Sequence, residues 1–293
     1  MVIAIIAILA AILLPVLNSA EARAQTVQCL NNMKQLQMCY RMYVDDNNDY
    51  LPPNESPTYN ISPPGITNSW IGGDAQTSVM PNDIEVGKLF QYNQSIKIYA
   101  CPANPATAKI GPVTPTEAAI AQQSGFTWIK AGGYVPQVRT CSIDFALGGY
   151  NAASGLSGAP CTYDGVTTLA KFSQIQLNCS GGVAGKFVFC DEAEISVGDG
   201  CLATYPANLG DDAYWNLPGS RHDGRRSCTW SFADGHCELW RWHGAAIIND
   251  NSYPFGGTFA LQHILDGKWP ADPLTGPHSS DDLPRVEAAT IVN

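Results

Sequence analysis

Ten cysteines dominate the residues able to do covalent or metal chemistry: Cys29, Cys39, Cys101, Cys141, Cys161, Cys179, Cys190, Cys201, Cys228 and Cys237. No two form a C-x-x-C pair, so zinc ribbons and ferredoxin-type clusters, whose ligands come from such tight turns, are poorly supported. An even number scattered through loop-like sequence favours disulfides and an oxidising compartment. His222 has the side chain for general-base or metal work. No H-E-x-x-H, G-x-S-x-G or glycine-rich phosphate loop accompanies it. It reads as structural, its ring nitrogens tying a loop to a hairpin. Asp45, Asn47 and Asp49 occupy the first, third and fifth positions of an EF-hand-like loop, but Tyr50 stands where Gly is needed and Ser56 where Glu is needed. That excludes an EF-hand and leaves at most a looser calcium site beside a polar helix exit. Asp191, Glu192, Glu194 and Asp199 form a second acidic group, read as solvated carboxylates with calcium as the alternative. Trp240, Trp242 and Trp269 would bind sugar or a neighbouring subunit if they gathered on one surface. No other cofactor is expected, and without a catalytic constellation the chain reads as a non-enzyme.

The elements that must position these groups begin with MVIAIIAILAAILLPVL, residues 1–17, which carry no charge. A signal peptide would have a basic residue ahead of the apolar run, and the first here is Arg23. A buried core helix would be apolar all round for its whole length. A membrane helix fits best, since a span needs about 20 apolar residues. Good helix formers follow, and Val27, Leu30, Met33, Leu36, Tyr40 and Tyr43 then recur every three or four residues. The spacing predicts one rod over residues 1–50, about 65–70 Å long, with Pro15 kinking or locally melting it. Its second half would lie on a head at 51–293. Its first part, 1–26, would protrude and need cover from lipid or from copies of itself.

Charge narrows the partners. The chain has 293 residues, 45 % apolar and only 14 % charged, with a net charge of −10. A nucleic-acid binder needs a basic face, so none is expected. The head reads as strands and loops with helices at 114–125, 168–177 and 258–265. Strand candidates are 96–99, 186–190 and the pair 228–232 and 236–242. Asp234-Gly235 between the last two predicts a two-residue type I′ hairpin. Ala233 would then face His236 and Phe232 face Cys237. Cys228, Trp230, Phe232, Cys237 and Leu239 would share the core face. Cys228 and Cys237 are too far apart along that ladder to bridge. Cys29 is expected to bridge to the head, with Cys101 the preferred partner. Closing a loop of about 70 residues would contribute roughly 4 kcal/mol through the unfolded chain.

The block VIAIIAILAAILLPVL resembles the N-terminal cleavage and methylation segment of type IV pilin-like proteins. In that family the block follows a Gly-Phe-Thr-Leu-Ile-Glu junction, and here the chain begins inside the block, as a late start would give. CLNNMKQLQMCYRMYVDDNNDYLPP (29–53), GKLFQYNQSIKIYACPAN (87–104) and FVFCDEAEISVGDG (187–200) resemble later family segments. WNLPGSRHDGRRSCTWSFADGHCELWRW (215–242) resembles its C-terminal signature of a His, nine residues and Asp-Gly. Eleven residues separate His222 from Asp234-Gly235 here. The resemblance implies an α+β, pilin-like fold. Its long N-terminal helix would pack its amphipathic half on an antiparallel sheet, with a loop-rich, disulfide-containing C-terminal region. It implies a structural subunit of an extracellular type IV pilus-like filament, a homopolymer joined through Ile3, Ile5, Ile6, Ile8, Leu9, Ile12, Leu13, Leu14 and Pro15. It further implies residence in the inner membrane before assembly, with a prepilin peptidase and assembly machinery as partners, and then at the cell surface. A minor pseudopilin of a type II secretion system is the alternative, and a membrane-anchored glycan-binding or hydrolytic protein a third reading.

Overall fold

The computed structural model describes residues 2–54, 69–73, 75, 82–104, 109–110, 112–123, 129–148, 162–163, 166–179, 181–193, 197–198, 200–202, 218–224 and 226–242. The expected helix at 258–265, Trp269, Cys161, Glu194 and Asp199 lie outside them.

Helix α1 spans Val2–Asp46 without a break at Pro15. The expected local melting does not occur: Pro15 removes one backbone donor, and the turns around it hold. From Cys29 onward one side is buried, through Met33, Leu36, Tyr40 and Val44, the spacing of one helical face. The buried stripe is rotated from the expected one. Val27 is exposed, while Cys29 and Cys39 are buried. Asn48 and Asp49, both at positive φ, end the rod, in the left-handed region that Asn and Asp tolerate better than other side chains.

Short helices α2 (Asn82–Glu85) and α3 (Phe90–Asn93) follow, then a 3₁₀ turn at Ile96–Tyr99. This turn replaces the strand expected at 96–99. Ile98 and Tyr99 are adjacent and both buried, which strand alternation does not allow on a single face. Strands β1 (Lys109–Ile110) and β2 (Val135–Pro136) pair around α4 (Pro115–Gln123). Next come β3 (Cys141–Asp144), β4 (Thr162–Tyr163), β5 (Val166–Thr167), α5 (Phe172–Asn178) and α6 (Gly182–Gly185). The chain continues through β6 (Phe187–Asp191), β7 (Cys201–Leu202), β8 (Ser227–Phe232) and β9 (Cys237–Arg241).

The main sheet has the order β7-β3-β6-β8-β9. It is mixed rather than antiparallel, because β7 lies parallel to β3. One edge of β6 is taken by β8, so the chain leaving β6 crosses to the far side of β3 and pairs there. Helix α1 packs on one face, over β6, β8 and β9. Between them lies a core that includes Leu36, Tyr40, Trp70, Tyr99, Ile143 and Phe189. On the opposite face Phe187, Cys190, Trp230, Phe232, Trp240 and Trp242 form a second core. A bulge in β6 between Phe187 and Phe189 divides the strand between them. It sends Phe187 and Cys190 to the second core and leaves Phe189 and Asp191 on the helix side.

The β8–β9 hairpin departs from the expected type I′ turn. Gly235 N–H donates to the Phe232 carbonyl (2.8 Å) and Phe232 N–H to the His236 carbonyl (2.9 Å). Gly235 has φ +94°. This is a three-residue loop, a turn closed by a glycine in the left-handed region. The register therefore moves by one residue, pairing Cys228 with Trp240 and Ser231 with Cys237. A one-residue slip exchanges the faces of β9. Trp240 and Trp242 accordingly pack against Trp230, with ring centroids 4.7 and 6.3 Å away. They are core residues, not a surface strip for sugar or a subunit. Leu239 is the residue left partly exposed.

Candidate functional site

Two features could carry function, and both begin on α1. Among the described residues, α1 is the one helix long and apolar enough to cross a membrane. Ile3, Ile5, Ile6, Ile8, Leu9, Ile12, Leu13 and Leu14 are between 55 % and 83 % exposed. None packs on the head, so the buried-core-helix reading fails. This is the form of a membrane anchor or signal sequence, attached without interruption to a helix half that is structural core. Covering those eight side chains would be worth on the order of 10 kcal/mol.

The second feature is a buried polar knot where α1 meets the sheet. Ligand-type atoms of Cys29, Cys101, Asp191 and His222 all lie within 4.8 Å of one another, and all four residues are buried. Each comes from a different element. Cys29 sits on the buried side of α1. Cys101 follows the 3₁₀ turn, held there because Asn32 of α1 donates to the Lys97 and Ala100 carbonyls (3.4 and 3.2 Å). Asp191 ends β6. His222 lies in the turn before β8, where its N–H donates to the Ser227 carbonyl and Ser227 N–H donates back.

Hydroxyls surround the four. Thr26, one helical turn before Cys29, donates to the Ala22 carbonyl (2.9 Å) and lies 3.2 Å from His222 Nδ1. A hydroxyl has one proton to give. With that proton on Ala22, Thr26 Oγ1 accepts from His222 Nδ1–H. In the neutral ring His222 Nε2 then carries the lone pair, 3.3 Å from Cys101 Sγ. Thr229 Oγ1 lies 3.1 Å from Cys29 Sγ. Thr140 accepts from Cys101 N–H (2.8 Å) and donates to Asp191 Oδ1 (2.7 Å). Arg221 forms a buried ion pair with Asp191 Oδ2 at 2.8 Å. The Cys101 thiol is pushed up by its contact with Cys29 and by burial. Burial lowers His222, but its contact with Cys101 and the charge of Asp191 leave it above its ordinary value. Such a set of two sulfurs, one imidazole nitrogen and one carboxylate oxygen can hold a metal ion.

The structure redistributes several expected roles. Cys29 and Cys101 do meet, as the loop-closure argument expects, but no bond joins them. Cys190 and Cys228 approach to 3.6 Å between sulfurs, also unbonded. The His222 ring nitrogens face Thr26 of α1 and Cys101 rather than the hairpin, whose Asp234-Gly235 tip stands at the other end of β8. Asp234 Oδ1 instead accepts from His236 N–H (3.0 Å), and Lys34 of α1 donates to the Gly235 carbonyl. Asp45, Asn47 and Asp49 do not converge on a calcium site. Asp45 pairs with Arg41 at 2.8 Å, Asn47 donates to the Tyr43 carbonyl, and Asp49 accepts from Ser173 at the start of α5. Asp191 and Glu192 are fully buried rather than solvated, Glu192 accepting from the Ser142 hydroxyl. The threonines at 26, 140 and 229 are the members of the knot that spacing does not expose. The linear cues for Asp191 are its place in the acidic group with Glu192, Glu194 and Asp199 and its position directly after the apolar run Phe187–Cys190, and neither points to cysteine and histidine partners. Comparison with family models, curated proteins and solved structures returned no match to this chain.

Proposed function

We propose that this chain is a structural subunit of an extracellular pilus-like filament, assembled through the apolar half of α1. The observation that carries the reading is one 45-residue helix that is core at its C-terminal half and bare hydrocarbon at its N-terminal half. In the membrane, lipid covers that half. Outside it, other copies of the same helix must. A head-to-tail contact of this kind does not close on itself, and open heterologous contacts generate fibres. Ala4, Ala7, Ala10 and Ala11 keep parts of the helix slim and permit close approach between helices. The resemblance of the N-terminal block to pilin-like proteins supports the same reading.

Full-length protein and residues 27–293 should be compared by light scattering and electron microscopy. The reading expects fibres from the full chain and a folded monomer from the shortened one. Equal polymerisation of the shortened chain would place the assembly contacts in the head and overturn it.

A further inference from the structure

We propose that Cys29, Cys101, Asp191 and His222 form a structural zinc site that fastens α1 to the head. The inference stands independently of the filament reading, because the knot lies where α1 meets the head and uses none of the exposed apolar side chains between Val2 and Leu17. In a tetrahedral site with bonds of about 2.0–2.3 Å, ligand atoms lie about 3.3–3.8 Å apart. The four atoms lie within 4.8 Å of one another, and Cys101 Sγ to His222 Nε2 is already 3.3 Å. Closure on an ion needs shifts of about 1 Å or less.

Orientation favours a ligand role over a packing role. Thr26 holds His222 in the tautomer whose Nε2 lone pair faces the cysteines. Metal-bound imidazoles are commonly fixed in this way through the other nitrogen. The Thr229 hydroxyl is placed to donate to a Cys29 thiolate, and Thr140 and Arg221 secure Asp191. Charge also balances. On binding, Zn²⁺ displaces the two thiol protons to solvent. Two thiolates cancel the ion, and Asp191 is cancelled by Arg221. A Cys29–Cys101 disulfide would use the sulfurs alone and leave the His222 lone pair facing no donor. Two soft sulfurs with nitrogen and oxygen in tetrahedral array select zinc over calcium or magnesium.

The test uses full-length protein purified in detergent without chelator. Elemental analysis should find about one zinc per chain. Cobalt exchange should give tetrahedral bands with sulfur-to-cobalt charge-transfer absorption. Cys101→Ser and His222→Ala should lose the metal, and Cys179→Ser should retain it. Thr26→Val should weaken binding about 10–100-fold, with Thr26→Ser restoring it. The cobalt spectrum of the parent protein keeps the test decisive should a variant fail to fold. The proposal is overturned by a parent chain that takes up neither ion, by metal retained in Cys101→Ser and His222→Ala, or by a Cys29–Cys101 disulfide in peptide maps.

Discussion

Replacing Lys186 with Met removes one half of a fully buried ion pair in the head. Lys186 Nζ lies 2.6 Å from Asp144 Oδ2, and the two side chains are 1 % and 2 % exposed. Met keeps most of the aliphatic volume, so the change is chiefly electrostatic. Asp144 would retain the Ala146 N–H on Oδ1 (2.7 Å) but lose its cation. Removing one partner of a buried pair costs about 3–5 kcal/mol, because the remaining charge stays desolvated. For a chain of this size that is about 6–20 °C in Tm. The pH dependence has a definite sign. Burial raises the Asp144 carboxyl above its ordinary value, and Lys186 opposes that rise. Without Lys186 the native value rises further. The native state then binds a proton that the unfolded chain releases, so stability falls as pH climbs through that window and recovers as pH drops. The deficit of Lys186→Met relative to the parent should therefore shrink from pH 7 to pH 5, read by thermal melts at both. Lys186→Met with Asp144→Asn should recover much of the loss. A single variant melting within about 1 °C of the parent at pH 7 would refute the buried-pair reasoning.

Gly235→Val should cost about 1–3 kcal/mol, because φ +94° penalises a β-branched side chain. The nearest atom to a new Cβ is Lys34 Nζ at 3.7 Å, so the cost is conformational, and Gly235→Asn should cost less in the same denaturant titration. Trp240→Ala should lose about 3–5 kcal/mol and Leu239→Ala under about 1.5 kcal/mol. The reverse order in chemical denaturation would restore the two-residue hairpin register.

The rod was legible because its signals are local: an uninterrupted apolar run, then apolar residues at helical spacing. The position of the β8–β9 hairpin was legible for the same reason, from Asp234-Gly235. Its register was not, because the same dipeptide closes two- and three-residue loops. The outcome decides whether Trp240 is core or surface. The parallel pairing of β7 with β3 was hidden because the two residues of β7 carry no periodicity. The knot was legible only in pieces. Cys29 and Cys101 could be matched through loop closure, and His222 stood out by its chemistry. Asp191 stood out only as one of an acidic group, because a bulge in β6 sets which way it points, and no pattern in Phe187–Asp191 announces a bulge.

The central claim is that the apolar half of α1 is the contact between copies. A photo-crosslinking residue at Leu9 or Ile12, both exposed on the isolated chain, tests it in material sheared from cells. The account predicts ultraviolet-dependent dimers and higher ladders, with the linked peptide mapping to residues 2–26 of a second copy. Sheared material in which Leu9 and Ile12 yield no copy-to-copy link, while positions on the head do, would contradict it.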